Sequence, residues 1–410
     1  MTSPQLEVTK MKRACVAALF CCLLSPAIIA KRRAVAPPPP TEARVGQPIA
    51  GLPSELLVRF FAGREEFNKR QDLDDGLGPV MNGMDCLQCH SVPAPGGAGV
   101  NGSSVIRFGK ITNGVFDPLE RLGGPLVQHR GIQVNDGAPL AFRGETVPPE
   151  ATIIAIRRPT TVLGLSLVEA TPDTTFIALA AEQAARNDGT AGRVAMVDNL
   201  AAGMKTVGKF GWKAQTPTLH QFAGEAYLNE IGVTSPFFPK ENCPRGRCED
   251  LRFNPRPGLN DNGEDTQKLT DFMAMLAPPP RGAITPDVVA GEAVFNRIGC
   301  NSCHVSTLRT GPNPLEALDE VTYHPFSDFL LHDMGPLNDR IVQADASGSE
   351  MRTPPLWGLR FLDSFLHDGR AGTIEAAIVA HEGQGRGARD RFHELNDGER
   401  AQLMAFLRSL

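Results

Sequence analysis

Two stretches, one late in each half of the chain, carry the same apolar spacing. Leu269, Phe272 and Leu276 recur at i, i+3 and i+7, and Leu403, Phe406 and Leu410 repeat that interval. This period places each trio on one face of a helix. Two other stretches, Ala62-Gly63-Arg64-Glu65-Glu66-Phe67 and Ala290-Gly291-Glu292-Ala293-Val294-Phe295, open the halves alike. Further on, Arg158-Pro159-Thr160-Thr161-Val162-Leu163-Gly164-Leu165 echoes Arg352-Thr353-Pro354-Pro355-Leu356-Trp357-Gly358-Leu359. Their shared order predicts a tandem repeat, mainly α, of two helical domains. Pro278-Pro279-Pro280-Arg281-Gly282 stops the first closing helix and joins the halves. The first half is longer, and its surplus is rich in turn signals such as Asn187-Asp188-Gly189 and Asp261-Asn262-Gly263. Long irregular loops and an enlarged first domain are therefore expected. A cation loop at Asp188 or Asp261 would lack the EF-hand spacing, so both are read as turns and calcium finds no support.

Ahead of the repeat, Met11-Lys12-Arg13 and the apolar run to Ala30 form a basic and a hydrophobic region in succession. That is the order of a secretory signal. The cleavage signal at Ile28-Ile29-Ala30 is poor, so an uncleaved N-terminal membrane anchor is the alternative, although the run is short for a full span. Pro37 to Pro40 make a stiff tether. The expected boundaries are 1–36 for the signal or anchor, 37–54 for the linker, 55–280 for the first domain with its insertion, and 286–410 for the second.

Composition narrows the class only slightly. With 41% hydrophobic and 21% charged residues the chain can bury real cores. A formal charge of −5 excludes a strongly basic nucleic-acid binder. The nine cysteines say more. Cys15, Cys21 and Cys22 lie in the apolar N-terminal run. Cys243 and Cys248 flank a Pro-Arg-Gly-Arg turn; a local disulfide there implies an oxidising compartment, with two free thiols as the alternative.

The remaining four cysteines form Cys86-Leu87-Gln88-Cys89-His90 and Cys300-Asn301-Ser302-Cys303-His304. C-x-x-C-H is the attachment sequence of a c-type haem: two thiols bind the vinyl groups and the histidine takes the iron. Chance would supply roughly 0.004 such motifs in a chain of this composition. Zinc knuckles are the competing reading, but zinc ribbons keep their halves within roughly 20 residues. Here the two motifs are in different halves. The sequence thus reads as two tandem cytochrome-c-like helical domains carrying two covalently bound haem c groups. With only 2 Trp and 2 Tyr, the porphyrins would supply much of the flat apolar surface.

A haem iron held by one histidine has a sixth position, and its occupant decides between electron transfer and reaction with peroxide. Seven histidines lie outside the motifs: His129, His220, His324, His332, His367, His381 and His393. Tyr323 to Gly335, Arg352 to Leu359, Phe365-Leu366-His367-Asp368-Gly369-Arg370-Ala371 and Phe210-Gly211-Trp212-Lys213-Ala214 together resemble the bacterial di-haem oxidoreductase family. That family is similar to the di-haem cytochrome c peroxidases. The resemblance spans roughly Leu56 to Leu410.

It implies an exported, periplasmic oxidoreductase, peroxidase-like, with one electron-transfer haem and one reactive haem. A plain di-haem electron carrier is the alternative. It implies His90 and His304 as proximal iron ligands. Counting 14 residues past His367, as the family does to its distal ligand, lands on His381; Met334 is the rival. His129 is the nearest downstream loop histidine for the first iron, with an open site or His220 as alternatives. Arg352 and Arg370 are fork donors suited to haem propionates. Glu169 is the candidate catalytic acid and His220 its rival, standing near the peroxidases' glutamate. The peroxidases' Asp and Arg in the Phe210 stretch are missing here. The expected partners are a small cytochrome or cupredoxin and a small-molecule oxidant.

Overall fold

The computed structural model describes residues 44–100, 102–132 and 142–410. The expected signal or anchor, 1–36, and most of the linker lie outside the described residues. No helix among those described is long and apolar enough to cross a membrane. Among the described residues nine α-helices set the frame: α1 Ser54–Asn68, α2 Leu165–Glu169, α3 Asp173–Arg186, α4 Leu219–Ala226, α5 Glu264–Met275, α6 Pro286–Arg297, α7 Ile374–Val379, α8 Arg386–His393 and α9 Asp397–Leu407.

Each half is built on a pair of helices pressed together at a glycine. In the first half α1 meets α5 at Gly63, where an added Cβ would come within 2.3 Å of the Lys268 carbonyl. In the second, α6 meets α9 at Gly291, where a Cβ would come within 2.0 Å of the Gln402 carbonyl. Phenylalanines fill the seam in both: Phe67 on Phe272 at 4.8 Å, Phe295 on Phe406 at 5.2 Å. The apolar trios of α5 and α9 are all buried. Leu276 and Leu410 fall just past their helix ends rather than inside them. Their carbonyls accept from Gly164 and Gly358, at 3.2 and 3.1 Å, so the final residue of each trio docks the Arg158 and Arg352 segments.

The halves also cross over. Arg158 donates its backbone N–H to His367 of the second half (2.7 Å), and Arg352 donates its own to Trp212 of the first (2.9 Å). The Trp212 and His367 rings meet edge-on at 6.2 Å. One hydrophobic core runs through the first half and takes in Leu308, Tyr323, Phe329 and Trp357 from the second. A smaller core is formed by α6, α7, α8 and α9 with Phe326. Residues 43–410 accordingly make one compact unit.

The fold is more mixed than "mainly α". Among the described residues, short strands form five separate antiparallel sheets. The largest joins Val115–Asp117, Val105–Thr112 and Ile153–Arg157 within the surplus of the first half. Ile153–Arg157 alternates buried and exposed positions strictly. That period-2 signal belongs to a half-buried strand, and the turn-rich surroundings hid it. The expected disulfide is present: Cys243 and Cys248 close the Pro244–Gly246 turn. Asp261 caps the start of α5, accepting from Gly263, Asp265 and Thr266, and Asp188 accepts from Thr190; both serve turns.

Candidate functional site

Both C-x-x-C segments fold into a single 3-10 turn, Cys86–Gln88 and Cys300–Ser302. At three residues per turn, side chains at i and i+3 eclipse one another. The turn therefore brings both thiols of a motif to one side. The Asp85 side chain caps the first turn by accepting from Gln88 N–H. Gly299, at φ 84°, supplies the left-handed entry to the second. All four thiols are free of disulfides. Burial pushes Cys86 and Cys300 up to about 12 and Cys89 to about 11, so these are neutral thiols at neutral pH.

The histidines are oriented in one way. His90 Nδ1 lies 3.2 Å from the Gly97 carbonyl and His304 Nδ1 2.9 Å from the Phe326 carbonyl. His381 Nδ1 lies 2.7 Å from the Ala377 carbonyl. A carbonyl accepts only from N–H, so each Nδ1 is protonated and each Nε2 keeps its lone pair. Such a backbone hold is what fixes a metal-ligating imidazole. Burial holds all three below the usual histidine range, His304 at about 4, and so in the neutral form that binds metal.

His304 and His381 line one cavity of about 740 Å3, together with Cys300, Cys303, Met334 and Arg352. Two of its donor groups bear on what it could hold. Trp357 Nε1 is buried without a partner. Arg352 is buried with only carbonyl partners, Gly211 at 2.6 Å and Thr353 at 3.1 Å, above the Phe329 ring. Burial pulls its guanidinium down to about 10. An apolar slot with a free indole N–H and a buried arginine fits a flat apolar group bearing carboxylates, which is the description of a porphyrin.

The other expected residues fall elsewhere. Arg370 is exposed, paired with its neighbour Asp368 and outside this cavity's wall. His367 is buried in that wall. Met334 Cε and His381 Cδ2 both approach Gly385, so these two rivals are neighbours. Glu169 accepts from Leu219 N–H at 2.7 Å and so holds the start of α4; burial raises it, against that bond and Lys209. His220 rests on Thr270 Oγ1 at 3.0 Å and on the Phe237 ring. Cys86, Cys89 and His90 lie outside the large cavity, against Phe67 and the main core. His129 is exposed, its Nδ1 2.7 Å from Asn82 Oδ1. Asn82 in turn donates to Glu230 at 2.8 Å, and Glu230 lies close enough to Cys89 to raise its thiol.

Two groupings escaped the sequence reading. One is this His129–Asn82–Glu230 chain beside the first motif. The other surrounds Cys303: His332 lies 3.6 Å from its Sγ, 2.9 Å from Asp328 and 3.1 Å from Gln384 Oε1. Burial alone would lower His332, but Asp328 and Cys303 outweigh it and raise it to about 11. Asp328 and Gln384 accept on opposite ring nitrogens, so His332 is a buried imidazolium. Only its i, i+4 spacing from Asp328 was visible in the sequence.

The internal repeat compares the two iron positions. Thr218 caps α4 and Thr373 caps α7, each accepting at its N3 position, and a bridged loop precedes each cap, Phe210 to Thr216 and Phe365 to Ala371. His381 stands eight residues past Thr373, and eight past Thr218 stands Ala226. The second half has an imidazole where the first has a methyl group.

A family model described as "Di-haem oxidoreductase, putative peroxidase" matches residues 149–410. Among solved structures, the chain is similar to hydrazine synthase of Kuenenia stuttgartiensis, at 14% identity over 94% of this chain and 100% of that one, with a TM-score of 0.39. It is similar to a MauG-like protein associated with microbial copper homeostasis, at 14% over 88% and 92%, TM-score 0.38. A third is the dihaem peroxidase BthA of Burkholderia thailandensis, at 17% over 49% and 65%, TM-score 0.30. No curated protein matches the chain.

Proposed function

Because the chain belongs to the di-haem oxidoreductase family, we propose that it is an exported, periplasmic, peroxidase-like enzyme with one electron-transfer haem and one reactive haem. In this reading Cys86, Cys89 and His90 hold the first haem covalently, and Cys300, Cys303 and His304 the second. Each haem would supply a one-electron iron centre whose behaviour the side chains holding it would set.

The observation that carries the proposal is the contrast between His381 and Ala226. His381, with Nδ1 fixed on Ala377 O and Nε2 free, shares a cavity with His304, whose Nε2 is equally free. Two neutral imidazoles close the second site and suit it to electron transfer. Ala226 offers no ligand at the matching place, which leaves the first site open to a small oxidant. Arg352 takes a propionate in the second pocket.

Cleaving a peroxide requires a side chain that moves a proton between the two oxygens. Glu230, raised by burial near Cys89, is the carboxyl group for that role, and Asn82, held on His129, donates to it and fixes its position. Glu169, held on Leu219 N–H, then positions α4 and Ala226. The reducing partner is a small cytochrome or cupredoxin meeting the protein outside the cytoplasm.

The electron-carrier reading draws on His129, whose Nε2 would close that iron too. The ferric absorption spectrum separates the two, followed by addition of hydrogen peroxide. High-spin haem that reacts with peroxide supports the enzyme; purely low-spin haem inert to peroxide supports the carrier.

A further inference from the structure

Lys213 is the most deeply buried cation of the described residues: its side chain is 0% exposed. It belongs to the bridged loop 210–216 of the first half, yet all of its oxygen partners come from the second. Nζ lies 3.0 Å from the Ser347 carbonyl, 3.3 Å from that of Gly348, 2.5 Å from that of Glu350, and 3.1 Å from Asp339 Oδ1. An ammonium has three N–H donors. Four oxygens on one nitrogen exceed that number, so the arrangement is coordination around a positive charge. Backbone carbonyls with one carboxylate are also the ligands proteins offer to hard cations.

We propose that Lys213 fills a cation site with its own ammonium, a tethered monovalent ion that clamps residues 339–350 of one half onto loop 210–216 of the other. The charge count specifies the valence. Asp339 is shared with Arg157, at 2.6 Å from Nε, and the Glu350 carboxylate is taken by Arg193. The buried group therefore holds two positive side chains and one carboxylate. Replacing Lys213 with potassium or ammonium leaves that count unchanged. A divalent ion adds a buried charge with no carboxylate to meet it. Burial pulls Lys213 down to about 8, so it remains charged at neutral pH.

The clamp has a clear point of action. Trp212, next to Lys213, accepts from Arg352 N–H and donates its Nε1–H to the Arg158 carbonyl at 2.8 Å. The first is one of the crossing bonds between the halves, the second ties Trp212 to the segment that makes the other, and Trp212 and Arg352 both line the large cavity.

The test uses the full chain as purified, with Lys213→Ala to empty the site and Lys213→Gln to fill it with neutral donors. Thermal midpoints are read in choline, potassium, ammonium and calcium chlorides at equal ionic strength. Lys213→Ala should lose about 5 °C or more in choline chloride. It should recover in potassium or ammonium chloride but not in calcium chloride, while wild type is indifferent to the ion. Lys213→Gln should stay low in every salt. Equal midpoints for Lys213→Ala in choline and potassium overturn the proposal. If Lys213→Ala does not fold, Lys213→Gln decides: wild-type stability would mean that hydrogen bonding without charge suffices, and the proposal fails; an ion-independent loss supports it.

Discussion

At the scale of single residues, the proposed distinction between the two iron sites comes down to one side chain. His381→Ala should leave haem attachment intact, because Cys300, Cys303 and His304 are untouched. It should convert the second iron from low to high spin in the ferric absorption spectrum; an unchanged low-spin signal would mean that another residue holds that position. The resemblance pointed to His381 through its offset from His367, and the structure places it in one cavity with His304. Glu230 was not legible in the sequence, since it joins the first motif only through the tertiary fold, and nothing local marked Asn82 as its partner. A second residue makes a pH prediction. Glu241 is partly buried, with Oε2 lacking any partner and Asn254 donating to Oε1 at 3.1 Å. Burial, against that one bond, raises it to about 7. The folded chain thus binds this proton more tightly than the unfolded one. The stability Glu241 contributes is complete below about pH 4.5 and is lost as pH climbs through 7. Glu241→Gln should match wild type near pH 4.5 and exceed it by about 2 kcal/mol at pH 8. Urea unfolding at both pH values checks this, and an equal gap at both contradicts it.

At the scale of elements, the paired helices are what the apolar period encoded. Gly63 and Gly291 share a motif in the sequence, but only the packing explains it: backbone carbonyls occupy the space a methyl group would need. Gly291→Ala should therefore cost about 3 kcal/mol or more, since the blocking atom is backbone and cannot swing aside. A denaturant midpoint indistinguishable from wild type would refute that. The caps should be milder. Thr373→Ala removes one side-chain bond, to Ala376 N–H, and should cost about 1 kcal/mol. The disulfide between Cys243 and Cys248 was legible because the whole loop is five residues apart. The strand Ile153–Arg157 was not, because its partner Val105–Thr112 lies beyond a long connection and nothing local announced the pairing.

At the scale of the whole molecule, the order of motifs foretold a repeat but not how its copies interlock. Arg158 and Arg352 were recognisable as counterparts, yet each turns out to bond the loop of the opposite half. Trp212 and His367, read as members of separate motifs, meet where those loops cross. Arg370 looked equivalent to Arg352 as a propionate donor because both are forked cations near family motifs. Only the three-dimensional path separates the buried one in the cavity wall from the exposed one paired with Asp368. The proposed function rests on one asymmetry carried by this shared frame: His381 would close the second iron, and Ala226 would leave the first open. Electron paramagnetic resonance of the ferric protein, purified from cells that export it and attach haem, tests this directly. The predicted spectrum contains one low-spin and one high-spin haem in equal amounts per chain. Two low-spin haems, or a chain with no haem signal, would contradict it.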